Sequence, residues 1–141
     1  MSNVLEHVCS PLELVEELVR VVRPGGIAFL NFTTWLSPFG GHETSPWHLL
    51  GAKRAEARYA AKHGRPPKNR LGIDLFRLGV GDFLRSVDQL QGVLLVDAFP
   101  RYFPRWTRPV ARVPGLREVA TLNLAVVLSK GVIPAKSNLD A

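Results

Sequence analysis

Ser2-Asn3-Val4-Leu5-Glu6-His7-Val8-Cys9-Ser10-Pro11 leads into a helical pattern that stops at Arg23-Pro24-Gly25-Gly26, and Ile27-Ala28-Phe29-Leu30-Asn31-Phe32 follows at once. Ser10 is a favoured N-cap, Pro11 suits the first helical position, and Glu13 completes a Ser-x-x-Glu capping box. Leu14, Val15, Leu18, Val19 and Val22 form one apolar stripe, while Glu13, Glu16, Glu17 and Arg20 take the solvent side. Pro24-Gly25-Gly26 ends the helix and turns the chain. The near-continuous apolar run at 27–32 predicts a strand buried on both faces. Helix, glycine turn and buried strand make half of a βαβ unit. Its first strand would precede Ser10, with Val4-Leu5 only its last residues.

Working outward, residues 33–48 form a loop at the carboxyl end of that strand, where open α/β sheets place their ligands. Ser45-Pro46 opens a second helix running to about Lys62 and closed by Gly64, with a thin apolar face of Leu49, Ala52, Ala55 and Tyr59. Its other faces are basic, as is the irregular loop 65–70. Asp82 caps a third helix that buries Phe83, Leu84, Val87 and Leu90. Residues 93–99 read as a second strand and 121–129 as a last one. Between them, 100–118 interleaves Arg101, Arg105, Arg108, Arg112 and Arg117 with Tyr102, Phe103, Trp106 and prolines that forbid a long helix or a central strand. Residues 131–141 are expected to be a mobile tail.

A chain of 141 residues can bury a real core as one domain. Its net charge of +6 and isoelectric point near 10.1 invite an anionic partner, and 13 of its 18 basic residues are arginine. The basic residues are scattered rather than grouped into a known module, which argues against nucleic acid. Peripheral contact with an anionic membrane is compatible with the stretch 100–118. The single cysteine, Cys9, rules out an internal disulfide and any cysteine-built zinc site, and it suits a reducing cytoplasm. No apolar stretch approaches the roughly 20 residues needed to span a bilayer.

The order strand end, helix, strand, excursion, helix, strand, excursion, strand resembles the C-terminal half of a class I S-adenosylmethionine-dependent methyltransferase. The segment Asn3-Val4-Leu5-Glu6-His7-Val8 with Ser10-Pro11, and then Arg23-Pro24-Gly25-Gly26 before an apolar strand, is similar to the landmarks of the ubiquinone and menaquinone biosynthesis group. The resemblance is specific over residues 2–32 and rests on topology over 80–130. It implies a partial Rossmann-like α/β fold across 1–130, with a mixed sheet flanked by helices and an antiparallel last strand between the other two. It also implies S-adenosylmethionine as cofactor, with Asn3, Leu5, Glu6 and His7 near the reacting methyl group. The family's glycine-rich loop and ribose-binding acid have no counterpart, since no strand here is followed by G-x-G-x-x-G. The expectation is therefore a truncated enzyme that lacks the adenosine-gripping half.

Four side chains are candidates for proton transfer: His7 at the strand mouth, and His42, Glu43 and His48 in Gly40-Gly41-His42-Glu43-Thr44-Ser45-Pro46-Trp47-His48. Two histidines and a carboxylate are adequate metal ligands, but the spacing matches no standard zinc pattern, and no metal is assigned. Trp35, Trp47 and Tyr102 are the candidates for substrate contact. The function expected is methyl transfer to a small-molecule or lipid-like acceptor, with the isolated chain inactive. The alternative is a non-catalytic remnant that packs its open sheet edge against a protein partner. A third reading is a basic membrane-surface or RNA-binding protein.

Overall fold

The computed structural model describes residues 1–131; the tail expected at 131–141 otherwise lies outside them. Helix α1 (Pro11–Val21) is followed by β1 (Ile27–Thr33), α2 (Ala52–His63), α3 (Val80–Asp88), β2 (Val93–Pro100), α4 (Leu116–Ala120) and β3 (Asn123–Lys130). The strand order is β1-β3-β2, and β3 runs antiparallel to both neighbours. A last strand lying antiparallel between the other two is the arrangement expected. Residues 1–3 extend the sheet on the outer side of β1. Ser2 bridges Asn31 in parallel, and Asn3 N–H donates to the Asn31 carbonyl at 3.0 Å.

The stripe of α1 packs as its spacing predicts, with Val15 and Val19 buried in the same core cluster as Ala28, Leu30 and Phe32 of β1. Each such side chain contributes up to about 1.5–3 kcal/mol. The capping box does not form: Ser10 sits at ψ 74° and makes no side-chain cap bond. Its hydroxyl bonds none of the first-turn N–H groups, and Pro11 has no N–H to offer.

The double burial expected for β1 is also corrected. Ala28, Leu30 and Phe32 face the core, but Ile27 and Phe29 are 65% and 43% exposed. Helices α1 and α3 cover one face only, and at the Ile27 end no described element lies over the other. Leu94 of β2 shares that open face in register with Ile27 through Ser129, and Val96, at a bulge in β2, is exposed too.

The helix expected from Ser45 to Lys62 is split into a 3-10 turn at Trp47–Leu50 and α2, because Gly51 at φ 120° breaks the helical path. Gly64, left-handed at φ 68°, does close α2 as expected. Asp82 does not cap α3. Gly79 is the cap residue, and Glu118 of α4 reaches across instead, its two carboxyl oxygens accepting from Val80 N–H and Gly81 N–H at 2.7 Å each. No helix among the described residues is long and apolar enough to cross a membrane.

Candidate functional site

The carboxyl end of β1 meets the 3-10 turn Leu5–His7. That turn sends three adjacent side chains in different directions. Leu5 is fully buried in the core, leaving only its backbone for any ligand. Glu6, 1% exposed, turns toward β1 and accepts from Thr33 N–H through Oε1 at 3.1 Å. Its carbonyl accepts from Phe76 N–H at 2.8 Å, which ties the turn to the segment entering α3. His7 Nδ1 lies 2.6 Å from the Asp74 carbonyl. A carbonyl only accepts, so Nδ1 carries the proton and Nε2 is left as the lone-pair nitrogen of the neutral ring.

The loop after β1 brings a second imidazole to the same place. Trp35 N–H donates to the Leu78 carbonyl at 3.1 Å and Thr34 N–H to the Leu122 carbonyl at 3.1 Å, pinning the loop's start. Gly40 and Gly41 then pass so close to their neighbours that a Cβ would lie 2.2 Å from the Trp35 oxygen and 2.3 Å from the His48 ring, respectively. His42 follows at φ 50° and meets His7 edge-on, with ring centroids 4.9 Å apart at 69°. Burial pushes the His42 pKa below the usual histidine value and the neighbouring His7 ring lowers it further, against the opposing pull of the Glu6 and Glu43 carboxyl groups.

Glu6, His7 and His42 each bring one ligand-type atom within 4.8 Å of those of the other two. Among the described residues, Glu6 Oε2 and His42 Nε2 are buried without a hydrogen-bond partner. Such a group can accept a proton or stabilise a cation.

The other predicted residues have their partners outside this cluster. His48 is 2% exposed, with Nε2 at 2.9 Å from the Trp35 carbonyl and its ring edge-on to Trp35. Burial lowers its pKa, against the opposing pull of the Trp35 carbonyl. Its position is that of a loop brace. Glu43 is exposed and accepts from Asn69 through both the backbone N–H at 3.3 Å and the carboxamide at 2.9 Å. Partial burial raises its pKa, but the Asn69 hydrogen bonds outweigh that and hold the carboxyl below its usual range. Trp35 is buried, with the Arg77 guanidinium 5.1 Å from its ring. Trp47 is exposed beneath Arg58 at 4.2 Å, and Tyr102 is exposed beside Arg101. Asn3 adopts φ 50° and accepts from the Asn123 carboxamide at 2.8 Å.

Two features escaped the sequence reading. The Asp74 carbonyl that orients His7 belongs to the backbone and has no residue-type signal. Arg101 donates to Asn31 Oδ1 at 2.7 Å and Ser2 Oγ at 2.9 Å, and Asn31 itself is fully buried. A lone polar residue inside the apolar run at 27–32 was the available sign of that group.

Comparison with known proteins gives consistent names. The chain is 50% identical over 127 residues to an "uncharacterized methyltransferase" of Mycolicibacterium gilvum (strain PYR-GCK), covering 90% of this chain and 49% of that protein. It is 52% identical over 127 residues to one of Mycobacterium avium (strain 104), with the same coverage. A Mycobacterium marinum (strain ATCC BAA-535 / M) protein of the same name is 50% identical over 128 residues, 91% of this chain and 49% of its own length. The chain thus spans about half the length of the curated relatives it matches. No family model matches it.

Proposed function

We propose that this chain is the C-terminal, acceptor-side portion of a class I methyltransferase that uses S-adenosylmethionine on a small-molecule or lipid-like acceptor. The observation that carries this reading is 50% identity across 90% of the chain to proteins named methyltransferase. The strand order with β3 antiparallel in the middle supports it, as does a titratable cluster at the carboxyl end of β1. A cytoplasmic setting belongs to the proposal and rests on one exposed, unpaired cysteine.

Toward the donor, the residues present fit the charged end only. Glu6 Oε2 is a buried carboxyl oxygen without a partner, suited to face a sulfonium, and Asn3 stands beside the same turn. Among the described residues no glycine-rich turn follows a strand, and the match covers 49% of the Mycolicibacterium gilvum relative, so adenosine binding is assigned to the part of that relative outside the match. When bound, such a donor would supply an activated methyl group, its sulfur keeping the electron pair of the C–S bond, to an acceptor oxygen or nitrogen that gives up one proton. His42, kept neutral by burial, takes that proton. His7, oriented by the Asp74 carbonyl, holds the acceptor in place beside His42. Buried Trp35, braced by His48, excludes water from the loop side.

The test joins this chain to the part of the Mycolicibacterium gilvum relative that lies outside the 127 matched residues. The joined protein should bind S-adenosylhomocysteine at micromolar concentration, and the 141-residue chain should not. A folded joined protein that binds none would sink the proposal, as would tight binding by the short chain. A second reading, a module that packs against another protein, is favoured by the exposed Ile27, Phe29, Leu94 and Val96 on the sheet.

A further inference from the structure

We propose that Glu6, His7 and His42 together form a site for one divalent first-row transition-metal ion. Sequence spacing had grouped His42 with Glu43 and His48. The fold instead joins it to residues 35 and 36 positions earlier and leaves Glu43 on Asn69 and His48 on Trp35.

Three independent features of the cluster point to a cation. First, the donor atoms already converge within 4.8 Å, and ligands of one tetrahedral ion at bond lengths of about 2.0–2.2 Å lie about 3.3–3.6 Å apart. Small side-chain rotations close that gap. Second, two of the three residues carry a buried donor atom with no protein partner, Glu6 Oε2 and His42 Nε2. A lone pair desolvated without a partner is costly, and a cation relieves both at once. Third, the outer contacts are those that orient metal ligands. His7 donates Nδ1–H to the Asp74 carbonyl, directing Nε2 inward, and Glu6 Oε1 is held by Thr33 N–H while Oε2 remains for the ion.

The donor set selects the class of ion. Two imidazole nitrogens and one carboxyl oxygen suit zinc, iron(II) or cobalt(II), whereas magnesium and calcium take oxygen ligands. Three protein ligands leave a coordination position open, and the half-buried His7 and His42 give solvent-side access to it. The site does not depend on the methyl-transfer reading, but its role does. There, the ion would take Glu6 Oε2 in place of the sulfonium, and its open position would bind the acceptor oxygen and lower its pKa, replacing His42 as the group that promotes loss of the proton.

The experiment titrates the untagged, metal-stripped 141-residue chain with zinc against a chromophoric chelator, and separately with cobalt(II) followed by visible absorption. One equivalent of zinc should bind, and cobalt should show the intensified ligand-field bands of a four- or five-coordinate nitrogen and oxygen site. Glu6→Gln and His42→Asn should each weaken zinc binding by more than the ~10–100-fold that loss of an outer-shell partner costs. His63→Ala and Cys9→Ser, at an exposed imidazole and the exposed thiol, should leave it unchanged. If Glu6→Gln does not fold, the loop variant His42→Asn decides. The site is overturned by the absence of a bound equivalent, by affinity unchanged in His42→Asn, or by binding that follows Cys9. Those failures leave S-adenosylhomocysteine binding by the joined protein untouched, and failure of that binding leaves the ion titration untouched.

Discussion

Replacing Glu118 tests how the far end of the fold holds the site. Its carboxyl group accepts from Val80 N–H and Gly81 N–H, both at 2.7 Å, at the start of α3. Val80 and Gly81 are buried, so water cannot easily substitute. A hydrogen bond to a charged acceptor contributes about 1.5–3 kcal/mol, and a negative group at a helix N-terminus adds a few tenths more. The two bonds share one partly exposed carboxyl, so their sum is discounted, and Glu118→Ala should cost about 2–4 kcal/mol. Glu118→Gln keeps one acceptor oxygen and should cost about 1–1.5 kcal/mol.

With a urea m-value of about 2 kcal/mol/M, the alanine variant's midpoint should fall by roughly 1–2 M. The loss should also reach the site. The chain entering α3 carries the Leu78 carbonyl that holds Trp35, Phe76 N–H that holds Glu6 and the Asp74 carbonyl that orients His7. Hydrogen exchange at Phe76 should therefore accelerate in Glu118→Ala more than exchange in the centre of β3. A midpoint within experimental error of wild type would refute the assignment of Glu118 as the cap of α3. Uniform acceleration across the chain would refute the route to the site.

Gly41→Ala would place a Cβ 2.3 Å from the His48 ring, which the Trp35 carbonyl fixes on its other side. Overpacking of about 1–3 kcal/mol should appear in urea unfolding, and the His7–His42 contact should break, visible as altered imidazole shifts by NMR. His42 and His48 both have pKa values lowered from 6.5 in the fold, so the unfolded chain binds the extra protons. Their contribution to stability is complete above about pH 6.5 and is lost as pH falls below it toward the lowered values. With chelator present, unfolding free energy should drop across that acid window, and His48→Gln should flatten the slope; a wild-type profile level from pH 7 to 5 would refute the burial argument. Ile27→Lys with Phe29→Ser removes apolar surface from the open sheet face without touching the core. Self-association and dye binding should fall while the melting temperature stays within a few degrees; a collapsed melting temperature would mean that face is buried in the isolated chain.

Periodicity identified what depends on local pattern. The stripe of α1, the glycine turn before β1 and the three strands all follow from spacing that a short segment contains by itself. Caps did not follow in the same way. Ser10, Pro11 and Glu13 satisfy the residue rules for a capping box, yet the Ser10 hydroxyl makes no cap bond. Asp82 satisfies the rule for α3, yet the Glu118 carboxyl, 38 positions after Val80, occupies the N-terminus and leaves Asp82 exposed in the first turn. A cap needs only an acceptor at the right point in space, and sequence proximity is one of several ways to put it there. The burial of β1 failed for a related reason. An apolar run reports what a strand can bury, while the cover over its second face depends on other elements, and none lies over Ile27 in the described residues.

The site was legible by position and opaque by partnership. Residues 5–7 and 42 could be named because they flank the carboxyl end of a strand, where main-chain ends and loops converge. Adjacent residues such as Glu6 and His7 rarely serve one ligand in an extended chain, since successive side chains point to opposite faces. The 3-10 turn removes that objection. It rotates Leu5 into the core, Glu6 toward Thr33 N–H and His7 toward Asp74, so that Glu6 and His7 approach a common point from two sides. What completes the cluster is His42, delivered by a loop whose path requires two glycines packed against Trp35 and His48. Glu43 and His48 share the same chemistry and the same loop, and the backbone around them decides against their inclusion. Their exclusion follows from contacts at 69 and 35, positions that no residue-type rule connects to them.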